Sequence, residues 1–134
     1  MFVRLPARVK EELSAHARQA APDECCGMLV GRDFVIEESV RVRNIASMPA
    51  TRYLVDPAEH IAINRRLRGS ARSIVGAYHS HPASPSLPSE RDRAEALYPE
   101  FVWMIVSLAD PGGTLAAFRL TAGSFIEVPI VVED

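Results

Sequence analysis

The run Tyr78-His79-Ser80-His81-Pro82, with Asp92 downstream, holds the residues of this chain best suited to chemistry. Residues two apart on an extended strand project to the same face, so the imidazoles of His79 and His81 can converge on one point. Ten residues separate His81 from Asp92, which lies in Pro88-Ser89-Glu90-Arg91-Asp92 and offers a carboxylate as third ligand. Neutral imidazole and carboxylate are ligands that Zn²⁺ favours. Three protein ligands leave a fourth position for water, which separates a catalytic zinc from a structural one. The chain has 4 histidines and six aspartates among 134 residues, so a chance His-x-His-x10-Asp arises in about half a per cent of such chains. The competing reading is a strand-end histidine pair that caps a core edge beside an acidic helix start.

Hydrolysis at such a metal also needs a group that accepts a proton from water and delivers it to the departing amine. Glu24, in Pro22-Asp23-Glu24-Cys25-Cys26-Gly27, precedes an apolar strand and can project from a sheet end. An acid in that position is more often simply exposed. Ser89, three residues before Asp92, is a natural helix N-cap. Cys25 and Cys26 are adjacent and would face opposite sides of a strand, so a disulfide between them would be strained. Buried structural thiols are the commoner reading than a Cys–His nucleophile.

These residues need elements to hold them. Pro6 to Ala20 reads as a helix, with Pro6 in the first position and Val9, Leu13, Ala17 and Ala20 on one stripe. Cys25 to Val30 and Phe34 to Val42 read as a hairpin about Gly31-Arg32-Asp33. Asp56-Pro57-Ala58-Glu59 is a helix start with a capping-box pattern, and that helix runs to about Arg68 before Gly69. Ser73 to His79 reads as a buried strand ending in the histidines, and Ser80 to Pro88 as a loop. Ser89 to Leu97 reads as a helix, Val102 to Leu108 as a buried strand, and Thr114 to Leu120 and Ser124 to Val131 as closing strands. Met48 to Tyr53 lies between two strand signals. It reads either as an edge to which an extended substrate tail could add or as a plain connecting loop. The expected fold class is α/β (α+β): a mixed, mostly antiparallel sheet flanked by helices.

Length sets one domain, residues 1–134. An apolar content of 48% and a charged content of 24% suit a globular protein. The longest apolar run, Phe101 to Leu108, is far short of a membrane span. No secretory signal is visible at Met1-Phe2-Val3-Arg4-Leu5-Pro6, and cysteine usage suits a reducing compartment, so the expected location is cytoplasmic. Net charge is −2, which excludes a nucleic-acid footprint. Arg65, Arg66, Arg68 and Arg72 read as a solvated helix face, with a docking patch for an acidic partner as the rarer alternative. No membrane association is expected, and the chain is expected to be a monomer or weak homodimer.

Taken together, Glu24 in Glu-x-Cys-Gly-x-Leu-x-Gly, His79-Ser80-His81-Pro82 and Ser89-x-x-Asp92 resemble the JAMM (MPN-type) zinc metalloprotease family. The likeness spans most of the chain, and its parts lie far apart yet occur in order. It implies Zn²⁺ held by His79, His81 and Asp92, Glu24 as the catalytic glutamate, and Ser89 as the hydroxyl that stabilises the tetrahedral intermediate. Pro-Asp-Glu before the cysteines and Tyr78 before His79 resemble the small bacterial members. Those imply a peptidase or isopeptidase that cuts after the C-terminal Gly-Gly of a ubiquitin-like sulfur-carrier protein. Two alternatives remain: a non-catalytic MPN-type interaction module, against which the full ligand set argues, and a nucleoside deaminase. The deaminase would need a Pro-Cys-x-x-Cys segment, which this chain lacks.

Overall fold

The structure, a computed structural model, describes residues 1–89, 92, 100–111 and 113–134. Its elements are β1 (Val3–Pro6), α1 (Ala7–Ala20), β2 (Cys26–Arg32), β3 (Val35–Val42), α2 (Pro57–Leu67), β4 (Ser73–His81), β5 (Val102–Ser107), β6 (Thr114–Thr121), β7 (Ser124–Val128) and β8 (Ile130–Glu133). The eight strands form one sheet in the order β7-β6-β5-β4-β2-β3-β1-β8. The β2–β3, β2–β4, β5–β6 and β6–β7 pairs are antiparallel, and the β1–β3, β1–β8 and β4–β5 pairs are parallel. The sheet is therefore mixed and mostly antiparallel, as expected.

Both faces of the sheet are covered. The α1 stripe of Val9, Leu13 and Ala17 packs on one face, with Leu29, Tyr78, Val102, Met104 and Val106. On the other face Ile63 and Leu67 of α2 pack with Cys26, Met28, Ala77, Trp103 and Ile105. Strands β2, β4 and β5 are buried on both sides over most of their length, which explains their near-continuous apolar runs.

Four expectations change. Strand β4 runs through Ser80 and His81, expected to open the loop, because both pair with β5 at Val106 and Ser107. Val3–Pro6 is a strand, parallel to both β3 and β8, and Pro6 is extended (φ −69°, ψ 152°) rather than the first helical residue. The closing strand expected over Ser124 to Val131 is two strands, because Pro129 has no N–H to give a ladder. Its two halves pair at opposite ends of the strand order, so the twisted sheet must curl until its edges approach. The Val3 N–H donates to the Pro129 carbonyl at 2.9 Å, which holds that corner. Glu59, expected to complete a capping box with Asp56, instead accepts from the Arg43 N–H at 2.6 Å. Asp56 still caps α2, accepting from the Ala58 N–H at 3.0 Å. Of the helix expected from Ser89 to Leu97, all but Ser89 and Asp92 lies outside the described residues. Arg66 and Arg72 pair with Glu38 at 3.4 and 3.2 Å, so part of the basic cluster is neutralised within the fold. Among the described residues, no helix is long and apolar enough to cross a membrane.

Candidate metal centre

Strand geometry does what the His-x-His spacing requires. His79 and His81 leave β4 on the α2 face, while Tyr78 points to the α1 face. Their Nε2 atoms lie 3.2 Å apart. The Asp92 carboxylate closes the triangle, with Oδ1 at 3.1 Å from His79 Nε2 and Oδ2 at 3.1 Å from His81 Nε2. All three residues are buried.

These distances fit a metal. Ligand atoms bound tetrahedrally at 2.0–2.1 Å lie about 3.3 Å from one another, close to what the three donors show. The tautomer fits as well. His81 Nδ1 lies 2.8 Å from the Pro85 carbonyl and donates to it, which leaves the Nε2 lone pair aimed at the centre. The His81 lone pair and the Asp92 carboxylate then converge beside His79 Nε2, a donor set that suits a divalent cation. Without a metal, the protons show the same demand. Burial alone pushes His81 down, but its hydrogen bonds to Asp92 and Pro85 and the charge of Glu24 outweigh it and raise its pKa. Burial likewise opposes ionisation of Asp92, yet hydrogen bonds from His79 and His81 hold its carboxyl well below the usual range.

Asp92 is fixed locally. Its N–H donates to Ser89 Oγ at 3.0 Å and its Oδ2 accepts from the Ser89 N–H at 2.8 Å, a reciprocal cap of the kind expected of Ser89. Ser89 itself is exposed. One carboxylate therefore serves both the turn and the centre.

Glu24 arrives from across the sheet. The β2–β4 ladder pairs Cys26 with His79. It continues through Ser80, whose N–H donates to the Cys25 carbonyl at 3.1 Å and whose Oγ accepts from the Cys25 N–H at 2.8 Å. Glu24 comes next in the chain, immediately before Cys25, and its charge acts on His81. Glu24 is buried, unlike most acids in front of a strand. The cysteines beside it are free but not reactive: burial pushes the Cys26 thiol up to about 12 and raises Cys25 as well.

The sequence did not mark Tyr53 as a site residue. Its ring stacks on His79 at 4.4 Å between centroids and 17° between planes, covering one side of the centre. Nor did it mark the Pro85 carbonyl, since main-chain acceptors leave no residue signature. The segment Met48 to Tyr53 is no open strand edge: Met48 C=O accepts from both the Thr51 and Arg52 N–H groups at 3.1 Å, closing a turn.

Residues 6–121 match Prok-JAB, the prokaryotic homologues of the JAB domain. The chain belongs to that family. It is 34% identical over 135 residues to the desampylase of Haloferax volcanii, covering 96% of this chain and 95% of that one. It is 33% identical over 123 residues to the CysO-cysteine peptidase of Mycobacterium tuberculosis, covering 90% and 84%. Among solved structures, a protein of Desulfitobacterium hafniense superposes with a TM-score of 0.90 at 31% identity, covering 99% and 94%. A JAB1/MPN-domain protein of Archaeoglobus fulgidus shares the fold at 22% identity with a TM-score of 0.59, covering 97% of each chain. The fold is thus of the JAB1/MPN type, and the chain is an enzyme, a JAMM-type peptidase.

Proposed function

We propose that this peptidase is zinc-dependent and hydrolyses the amide bond after the C-terminal Gly-Gly of a ubiquitin-like sulfur-carrier protein. The observation that carries the metal is the buried convergence of His79, His81 and Asp92 donor atoms at 3.1 to 3.2 Å. When bound there, zinc supplies a Lewis acid that acidifies water toward a pKa of ~7 and polarises a carbonyl.

The chain's own residues do the rest. His79, His81 and Asp92 hold the ion, with His81 oriented by Pro85 and Asp92 by Ser89. Glu24 accepts a proton from the attacking water at its carboxylate and returns it to the departing amine nitrogen. As charge gathers on the scissile carbonyl oxygen, the Ser89 hydroxyl donates to it; a donor of this kind is worth ~3 kcal/mol. Accepting from the Asp92 N–H does not prevent this, because a hydroxyl has both a proton and two lone pairs.

Access and the relatives support this substrate. Tyr53 over His79 narrows the approach, and a tail without side chains passes where bulkier residues clash. Relatives named a desampylase and a CysO-cysteine peptidase support a carrier-protein tail.

The test takes metal analysis, a base variant and one carrier protein extended by a residue beyond Gly-Gly. About one zinc per chain is expected, and activity lost to a chelator should return with zinc. Glu24→Gln should keep the metal and lose several orders of magnitude in turnover, because an amide cannot accept the proton. Replacing Gly-Gly with Ala-Ala should slow cleavage strongly. Equal rates on the two tails would leave a general peptidase, and a fully active Glu24→Gln would remove the base.

A further inference from the structure

Asn44 contributes no atom to the metal centre, yet its side-chain amide makes four hydrogen bonds. Nδ2 donates to the Glu24 carbonyl at 2.9 Å and to the Arg52 carbonyl at 3.0 Å. Oδ1 accepts from the Ala46 N–H at 3.0 Å and the Leu54 N–H at 2.9 Å. Two donors and two acceptors are the full capacity of the group, and the partners leave no ambiguity about which end is nitrogen. The segment so tied starts and ends at the Asn44↔Val55 bridge. Tyr53 sits in it, between the two residues that Asn44 holds, and stacks on His79.

The same segment grips Glu24 from its other side, since the Glu24 N–H donates to the Pro49 carbonyl at 2.7 Å. Both main-chain polar groups of Glu24 are therefore taken by residues 44–55. Glu24 lies two residues before the first residue of β2. Asn44 and Pro49 thus satisfy its carbonyl and its N–H, as a buried main-chain group requires.

We propose that Asn44 is a positioning residue for the Glu24 carboxylate, fixing the backbone from which that side chain reaches the centre. This rests on Glu24 being the base. The amide is needed because it combines donors toward Glu24 and Arg52 with acceptors toward Ala46 and Leu54. Aspartate keeps only the acceptors toward Ala46 and Leu54, so it releases the carbonyls of Glu24 and Arg52 while still bonding the turn at those two N–H groups. Displacing a catalytic group by ~1 Å costs about 10²-fold in rate.

The experiment is a double-mutant cycle on the metal-loaded protein: Asn44→Asp, with Asn44→Ser as a neutral companion, each with Glu24 and with Glu24→Gln. The readouts are metal content, hydrogen exchange at the Glu24 and Cys25 amides, and kcat and KM on the Gly-Gly-extended carrier. Asn44→Asp is expected to keep its metal and its KM, to speed exchange at both amides, and to lose about 10²-fold in kcat. With Glu24→Gln, the same change should cost less than about twofold, because the group it positions is already disabled. Equal losses in both backgrounds would overturn the proposal, since a role exercised through Tyr53 and His79 would persist without the base. Unchanged kcat or unchanged exchange would overturn it too. If neither Asn44 variant folds, Asn44 serves the fold alone and the proposal fails. Near-normal turnover of Glu24→Gln by itself would instead remove the base assignment, and this inference with it.

Discussion

A methyl group added at Gly27 should cost about 3 kcal/mol, and the structure shows where the cost arises. Gly27 stands opposite Tyr78 on the β2–β4 ladder. A Cβ built there meets the Tyr78 ring, with Cζ at 2.5 Å, and the Val40 carbonyl oxygen, also at 2.5 Å. Carbon atoms in good contact sit about 3.5–4.0 Å apart. Neither neighbour yields easily. Val40 O is backbone within the β2–β3 pair, and Tyr78 is buried with its hydroxyl 2.7 Å from His16 Nδ1. Overpacking costs ~1–3 kcal/mol, and losing the tyrosine's hydrogen bond adds ~1 kcal/mol. With ~2.1 cal/mol/K of unfolding entropy per residue, 134 residues turn 3 kcal/mol into a fall in Tm of about 11 °C. The assay is calorimetric melting of chelator-treated Gly27→Ala and parent protein, which removes stabilisation by bound metal. Because Tyr78 precedes His79, metal affinity in a competition titration should fall as well. A Tm drop under about 3 °C would refute the reasoning, because it would mean that β2 and β4 can separate at little cost.

Two further perturbations separate local from catalytic roles. Ser89→Ala removes both the cap on Asp92 and the hydroxyl donor, so it should cost ~1 kcal/mol of stability and about 10²-fold in kcat with most of the metal retained; unchanged turnover in that variant would exclude the donor role. His16 is held down to about 4 by burial, with the charge of Arg41 adding to the effect. Its folded pKa is thus below its unfolded value of ~6.5, so its contribution is complete above that value and is lost as pH falls toward 4. After discounting for the part of the ring that faces solvent, this amounts to ~1–2 kcal/mol. Parent and His16→Gln should therefore differ in the slope of Tm between pH 6.5 and 4, and parallel curves would contradict the burial argument.

Several features were legible because they are local. His79 and His81 share a face because a strand has a period of two, whatever it packs against. Ser89 and Asp92 satisfy each other across three residues, as a serine and an acid at that spacing do. The α1 stripe, the β2–β3 hairpin and the Asp56-Pro57 start of α2 follow equally from short-range rules. Val3 and Leu5 did alternate with polar or exposed neighbours, but four residues are too short a run to separate a strand from a helix entry.

Chemistry-bearing residue types and their local spacing were thus written into the chain: two imidazoles on one strand face, a capped carboxylate, and an acid in front of an apolar run. Only the tertiary structure decided that Glu24 is buried, that Tyr53 covers His79, and that one asparagine bonds Glu24 and both neighbours of Tyr53. It also decided that the strands on either side of Pro129 close opposite edges of the sheet. The division has a physical cause. Periodicity and capping act over one turn or one pleat, where backbone geometry sets which side chains meet. The approach of the chain before β2 to the histidines depends on the register of β2 against β4, which sets Cys26 opposite His79, and a slip of one residue would turn that face over. That register is held by packing on both faces of the sheet, which forms only when the whole chain has folded.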